Sequence, residues 1–213
     1  LGSGKSTVAG YLRELGAEVV EADELGRALM VPGQPVYAEI VRVFGREVVN
    51  ADGHLNRTRL AQMAFQGGRL DELNRIVHPA VIAAQRRWME EVFDRNPTAI
   101  AVVETALIFE VERDARARGE QEGVLADWRR RFDRVVVVTA PDQVKIARFT
   151  AKTGVGETDA RARLARQIPD AEKAVRADYV LENAGELSAL RPRVADLWAA
   201  LLADSNKISP REF

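Results

Sequence analysis

The chain begins Leu1-Gly2-Ser3-Gly4-Lys5-Ser6-Thr7, which reads as the end of the pattern G-x-x-x-x-G-K-[ST], with its first glycine falling two positions ahead of Leu1. The chemistry of such a loop is anion binding. Backbone N–H groups surround a β-phosphate, the lysine reaches the β/γ oxygens and the hydroxyl ligates Mg²⁺, while the following helix turns its positive end to the anion. On this pattern Gly2, Ser3, Gly4, Lys5, Ser6 and Thr7 hold ATP or GTP, with Lys5 on the phosphates and Ser6 on the metal. A glycine-serine segment without a ligand is the alternative. Helical periodicity directly after Ser6, followed by an acid-ended apolar run, favours the loop. The strand that feeds such a loop is expected ahead of Leu1, centrally in the sheet. A polypeptide starting physically at Leu1 would then expose unpaired strand edges and bind ATP poorly.

Asp23 is the candidate base. Val19-Val20-Glu21-Ala22-Asp23 reads as a short strand ending in acids, with Glu21 and Asp23 on one face by alternation. Ligands of open α/β sheets sit outside the carboxyl ends of strands. A carboxylate there accepts the proton of an attacking hydroxyl as the γ-phosphoryl leaves; otherwise it caps the next helix. Glu104 closes the apolar run Ile100-Ala101-Val102-Val103, the pattern of a strand buried on both faces, and is placed near metal or substrate or in a supporting position behind them. Glu110 is structural or lies at the substrate rim. Lys145, Arg148, Lys152, Arg161, Arg163, Arg166, Lys173 and Arg176 supply cations suited to a moving phosphoryl group, or form solvated helix faces. Arg57 anchors an anionic substrate group or pairs with an acid. His78, ahead of Pro79, is a substrate contact or makes local hydrogen bonds at a helix start. Trp88, Trp128 and Trp198 are packing residues.

The elements that must position these residues alternate. Apolar periodicity predicts a helix over 7–15, one around Glu24–Met30, mostly helical chain over 36–93 with a turn at Asn50-Ala51-Asp52-Gly53, and a helix starting at Pro79. Val135–Thr139 and Tyr179–Leu181 read as further strands. A helix follows Asp142, and Leu187–Leu202 closes the core through Leu190, Val194, Leu197, Trp198 and Leu201. Strands alternating with helices imply a parallel α/β sheet. Helical stretches at 31–96 and 151–176 interrupt it, as lobes closing over nucleotide and substrate would.

Composition excludes other classes. Of the 213 residues 46% are hydrophobic, enough for a real core, and 30% are charged with a net of −1, so no overall field advertises nucleic acid or an anionic membrane. No cysteine and two histidines argue against disulfides and zinc. No apolar run approaches the ~20 residues that span a bilayer, and a cytoplasmic protein is expected.

Taken in order, the motifs resemble one family, dephospho-CoA kinase. The loop from Leu1 to Ala9 matches, followed by Glu21-Ala22-Asp23 with Arg27, then Asp52-Gly53-His54-Leu55-Asn56-Arg57-Thr58-Arg59-Leu60, then His78-Pro79. Glu104-Thr105-Ala106-Leu107-Ile108-Phe109-Glu110 matches an acid-x-x-L-L-F-E segment. Arg148, Arg163, Gln167, Pro169 and Lys173 fit the lid pattern, and Ala177-Asp178 through Asn183 and Gly185 fit A-D-x-x-x-x-N-x-G. The departures are Ala106 for proline, Lys152-Thr153-Gly154 for R-D-G, and a longer charged link at 111–131 that reads as an exposed insertion.

The resemblance implies a P-loop NTPase parallel sheet flanked by helices, with a nucleotide core at 1–30, 97–150 and 177–204. It also implies a helical dephospho-CoA lobe at 31–96, a small helical lid at 151–176 and a tail at 205–213. It implies transfer of the ATP γ-phosphate to the ribose 3′-hydroxyl of dephospho-CoA with Mg²⁺ present. Asp23 would be the base, Lys5 and Arg148 further catalytic groups, and Arg163 a second nucleotide contact. Arg57, His78 and Glu104 would lie at the substrate. The implied state is a monomer or small homo-oligomer with no nucleic acid or membrane partner. Another small-molecule kinase for nucleosides or nucleotides, and a non-catalytic nucleotide-binding fragment, are the competing readings.

Overall fold

Gly4, with φ 93, opens a helix that Lys5 continues: α1 (Lys5–Glu14) buries Val8 and Leu12 on one face, four residues apart as a helical stripe requires. Gly16 and Ala17 then turn their N–H groups back to the carbonyls of Arg13 and Leu12, and the chain enters β1 (Glu18–Glu21). The computed structural model describes residues 1–185 and 187–207. It divides into two units, one built from Leu1–Val19 and the chain from Val92 onward, the other from Val20–Glu91.

In the second unit β1 gives way at once to α2 (Ala22–Leu29). Asp23 therefore stands in the first turn of a helix and does not share a strand face with Glu21. Asp23 and Glu24 are the reason: two acids in succession stabilise a helix N-terminus through its dipole. α3 (Pro35–Phe44) starts on a proline at its first position and ends at Gly45. A small hairpin around Gly53 leads to α4 (Arg57–Phe65), capped by the Asn56 side chain on the Arg59 N–H at 2.9 Å. α5 (Leu70–Arg95) follows, and the helix start expected at Pro79 does not occur. An interior proline removes one backbone hydrogen bond and costs about 3 kcal/mol. Here Leu73, Ile76, Val77 and Ala80, from both sides of the proline, pack on the same core of Val36, Ile40, Phe44, Val48, Leu55 and Leu60, and that burial holds the helix through.

In the first unit β2 (Ala101–Glu104) pairs with β1, the Glu18 N–H donating to the Ile100 carbonyl at 3.0 Å. α6 (Ile108–Ala117) leads to β3 (Val136–Thr139), then α7 (Asp142–Thr153), α8 (Glu157–Leu164) and α9 (Asp170–Arg176). β4 (Tyr179–Glu182) pairs in parallel with β3, Val136 opposite Tyr179 and Thr139 opposite Glu182. α10 (Leu187–Ser205) closes the unit. The fold is mixed α/β with parallel strands, yet the described strands form two pairs and not one continuous sheet. Both pairs serve one core all the same. Val138 and Leu181 from one and Val19 and Val102 from the other meet Val8 and Leu12 of α1 and Leu190, Val194 and Leu197 of α10. Because β2 pairs only with β1 among the described residues, its four side chains are half-buried and not enclosed on both faces.

The charged link at 111–131 is not a simple exposed insertion. Val111, Glu112, Ala115, Ala126 and Trp128 are buried, and Trp128 meets Phe109 edge to face at 6.2 Å between ring centroids. Its buried acid Glu112 offsets the cost of burial by pairing with Arg116 at 2.9 Å and Arg176 at 2.6 Å. The tail expected at 205–213 starts where α10 ends, and from 208 on it falls outside the described residues. No helix among the described residues is long and apolar enough to cross a membrane.

Candidate active site

Two glycines shape the Gly2–Thr7 loop, and each is there for a steric reason. Gly2 has φ 65, and a Cβ on it would run into the backbone carbonyl of Lys145 in α7. Gly4 has φ 93, and a Cβ on it would run into the side-chain amide of Asn183 just past β4. Between them Ser3 is buried, its carbonyl accepting a 2.8 Å hydrogen bond from Asn183 Nδ2. Left-handed backbone with this close an approach leaves only glycine. The Gly4 carbonyl takes the N–H groups of Thr7 and Val8 at 3.1 and 3.0 Å, so those of Lys5 and Ser6 have no acceptor within the helix. Gly4 offers no side-chain cap, and the first turn carries no acid. The start of α1 is thus an uncompensated positive helix end.

Glu104, at the end of β2, faces the two side chains that this start projects. Its Oε1 lies 3.7 Å from Lys5 Nζ, and its Oε2 accepts from Ser6 Oγ at 3.4 Å. Both contacts are long for their kind. An ammonium, a hydroxyl and a carboxylate are gathered without being tightly locked to one another. Oxygen donors of this sort suit a hard divalent cation whose remaining ligands are phosphate oxygens and water. Among the described residues no group of three or more His, Cys, Asp or Glu could hold a metal alone.

The cations of the 145–176 region sort into distinct tasks. Lys145 is buried, its ammonium bonded to Asp142 at 2.8 Å and Asp170 at 3.0 Å. Burial pulls its pKa down, but the two carboxylates more than offset this and hold it above the ordinary lysine value, so it stays charged. Lys173 pairs with Glu110 at 2.6 Å, and Glu110, 4% exposed, also accepts the Ile168 N–H at 2.9 Å. Glu110 is therefore structural in this arrangement. Arg148 donates to the carbonyls of Asn183 and Gly185, both at 2.9 Å, which braces the segment after β4. Arg163 is exposed on α8, its guanidinium 5.8 Å from the Phe149 ring centroid.

The remaining candidates lie in the second unit. Asp23 is exposed in the first turn of α2. Arg57 is exposed at the first position of α4, after the hairpin in which Tyr37 Oη donates to the Gly53 carbonyl at 2.5 Å and the Asn50 N–H to the His54 carbonyl at 2.8 Å. His78 is half-buried inside α5. The structure thus gathers Lys5, Ser6 and Glu104, and sets Arg148 on backbone carbonyls. Sequence reasoning assigned no task to Lys145 within the loop's support or to Asn183. Asn183 stands in the A-D-x-x-x-x-N-x-G pattern, but nothing local tells that its side chain bonds the Ser3 carbonyl or that the Lys145 carbonyl packs against Gly2, because both contacts join segments more than a hundred residues apart.

Comparison with known proteins agrees with the motif order. The dephospho-CoA kinase family, CoaE, matches residues 1–121 and 122–189. A dephospho-CoA kinase of Syntrophotalea carbinolica is 39% identical over 204 residues, covering 95% of this chain and 89% of that one. Another, from Anaeromyxobacter dehalogenans, is 41% identical over 202 residues, covering 94% and 88%. Among solved structures, TT1252 from Thermus thermophilus superposes with a TM-score of 0.71 at 32% identity, covering 94% of this chain and 93% of that one. The dephospho-CoA kinase from Campylobacter jejuni, at 19% identity and a TM-score of 0.64 over 96% and 94%, shares the fold. With the glycine loop, the Lys5–Ser6–Glu104 grouping and these matches along nearly its whole length, the chain belongs to the dephospho-CoA kinase family.

Proposed function

We propose that this protein transfers the γ-phosphate of ATP to the ribose 3′-hydroxyl of dephospho-CoA, giving coenzyme A and ADP, the last step of coenzyme A synthesis. The observation that carries the reading is the Glu104 carboxylate set against both Lys5 and Ser6 at the open start of α1. Gly2–Thr7 is then a P-loop, its N–H groups around the β-phosphate and Lys5 on the β/γ oxygens. Ser6 Oγ would ligate Mg²⁺ with Glu104 beside it, and when bound the ion neutralises charge on the phosphate oxygens.

Asp23 orients the 3′-hydroxyl and accepts its proton as the phosphoryl group leaves ADP. Arg57 and His78 belong to the dephospho-CoA lobe at 31–96, where Arg57 meets an anionic group of the acceptor. Arg163 and Arg148 serve the nucleotide from the 151–176 lid and the helix before it. Arg148 reaches phosphate by exchanging one of its carbonyl partners for a phosphate oxygen. The nucleotide core comprises 1–30, 97–150 and 177–204, and the enzyme works in the cytoplasm as a monomer or small homo-oligomer.

Acceptor choice tests the reading. With ATP and Mg²⁺ in excess, ADP release should depend on dephospho-CoA, with kcat/KM at least about a hundredfold above that for adenosine or AMP. Binding energy from the remote pantetheine arm, which those acceptors lack, is available to the transition state. Equal or faster turnover of a nucleoside would assign the protein to a different small-molecule kinase activity.

A further inference from the structure

Asn183 has no part in the reaction as proposed, yet it is 4% exposed and every polar group it carries toward the loop is used. Its N–H donates to the Thr139 carbonyl at 2.8 Å, one bond beyond the β3–β4 ladder. Its own carbonyl accepts from Arg148 Nη1 at 2.9 Å. With backbone held on both sides, the side chain is aimed at one target, and Nδ2 donates to the Ser3 carbonyl at 2.8 Å.

The consequence lies in the peptide unit that follows. The chain has no cis peptide bonds. In a planar trans peptide the C=O and the next N–H point in opposite directions. Fixing the Ser3 carbonyl on Asn183 therefore turns the Gly4 N–H away from Asn183. That N–H donates to no acceptor among the described residues. Gly4, with φ 93 and no Cβ, would otherwise let this plane rotate more freely than any other residue could. A flipped plane would aim a carbonyl where a donor is needed, repelling an anion instead of binding it.

We propose that Asn183 is a positioning residue that locks the Ser3–Gly4 peptide plane with its N–H presented to the β-phosphate of the nucleotide. This rests on the phosphate-loop reading of Gly2–Thr7. Arg148, bonded to the carbonyls of Asn183 and Gly185, secures the same device from α7.

The test is calorimetric titration of ADP and AMP into the full chain and its variants, with thermal melting alongside. Asn183→Asp keeps the side-chain shape but, when ionised, only accepts hydrogen bonds. It should weaken ADP by about ten- to a hundredfold, the loss expected for one charge-assisted hydrogen bond, and leave AMP, which has no β-phosphate, nearly unchanged. Asn183→Ala, which adds no charge, should show the same selective loss at smaller size and covers the case in which the aspartate variant does not fold. Equal losses for ADP and AMP, or no loss for ADP in a folded variant, would overturn the inference. Lys5→Ala, titrated in parallel, separates the two levels. If it loses ADP while the Asn183 variants do not, only the positioning role fails; if it too keeps ADP, the phosphate-loop reading fails.

Discussion

Asp23→Asn should lower kcat by about 10²- to 10⁴-fold, the usual contribution of a positioned general base, with ATP affinity nearly unchanged. The asparagine keeps the size and hydrogen-bonding reach of the carboxylate but cannot hold the acceptor's proton. Asp23 is the second residue of α2 and not its cap, so losing its charge removes only a dipole interaction of about 0.3–1 kcal/mol, with Glu24 still in the first turn. Since Asp23 is exposed in the first turn of α2, the folded unit should tolerate the change. Steady-state rates with saturating dephospho-CoA, compared with ADP titration on the same preparation, separate the chemical step from nucleotide binding. A kcat equal to that of the wild type would remove Asp23 from the role and leave it as a first-turn acid favouring the start of α2 through its charge.

Lys5→Ala should cost about 10²- to 10³-fold in kcat/KM for ATP, the scale of one electrostatic group removed from a developing charge, with a clear loss of ADP affinity. Lys5 has an ion-pair partner at 3.7 Å in Glu104, but both side chains keep some solvent access, 25% and 13%, so little stability hangs on the pair. The effect should therefore appear in nucleotide binding and turnover and hardly in the melting temperature. Lys5→Arg should not restore activity. A planar fork cannot replace a compact ammonium in a loop closed on both sides by Lys145 and Asn183. Full activity in the alanine variant would mean that the phosphates are held elsewhere.

Much of this site could be read from residue order. The loop, the acid closing Ile100–Val103 and the helix stripe of Leu190, Val194 and Leu197 all depend on local spacing, and the structure brings each to the expected element. What local pattern misjudged has a common origin. Pro79 is a helix breaker by local rule, but packing of the helix face on both sides of it prevailed. Asp23 looked like the end of a strand because Val19-Val20 precede it, whereas successive acids favoured a helix start. The link at 111–131 looked exposed because it is charged. Its buried acid Glu112 has a partner, Arg176, sixty-four residues away, and a single sequence carries no mark of such a pairing. Asn183 is the extreme case: the motif order includes the residue, but its target lies 180 residues earlier, and only the folded chain shows its hydrogen bond to the Ser3 carbonyl and its close approach to Gly4.

The most direct measurement is the ³¹P NMR spectrum of the product formed from ATP, Mg²⁺ and dephospho-CoA. The account predicts ADP and one new phosphomonoester in equal amounts, the latter on the ribose 3′-oxygen. ADP accompanied by inorganic phosphate alone, or a phosphomonoester at any other position, would contradict it.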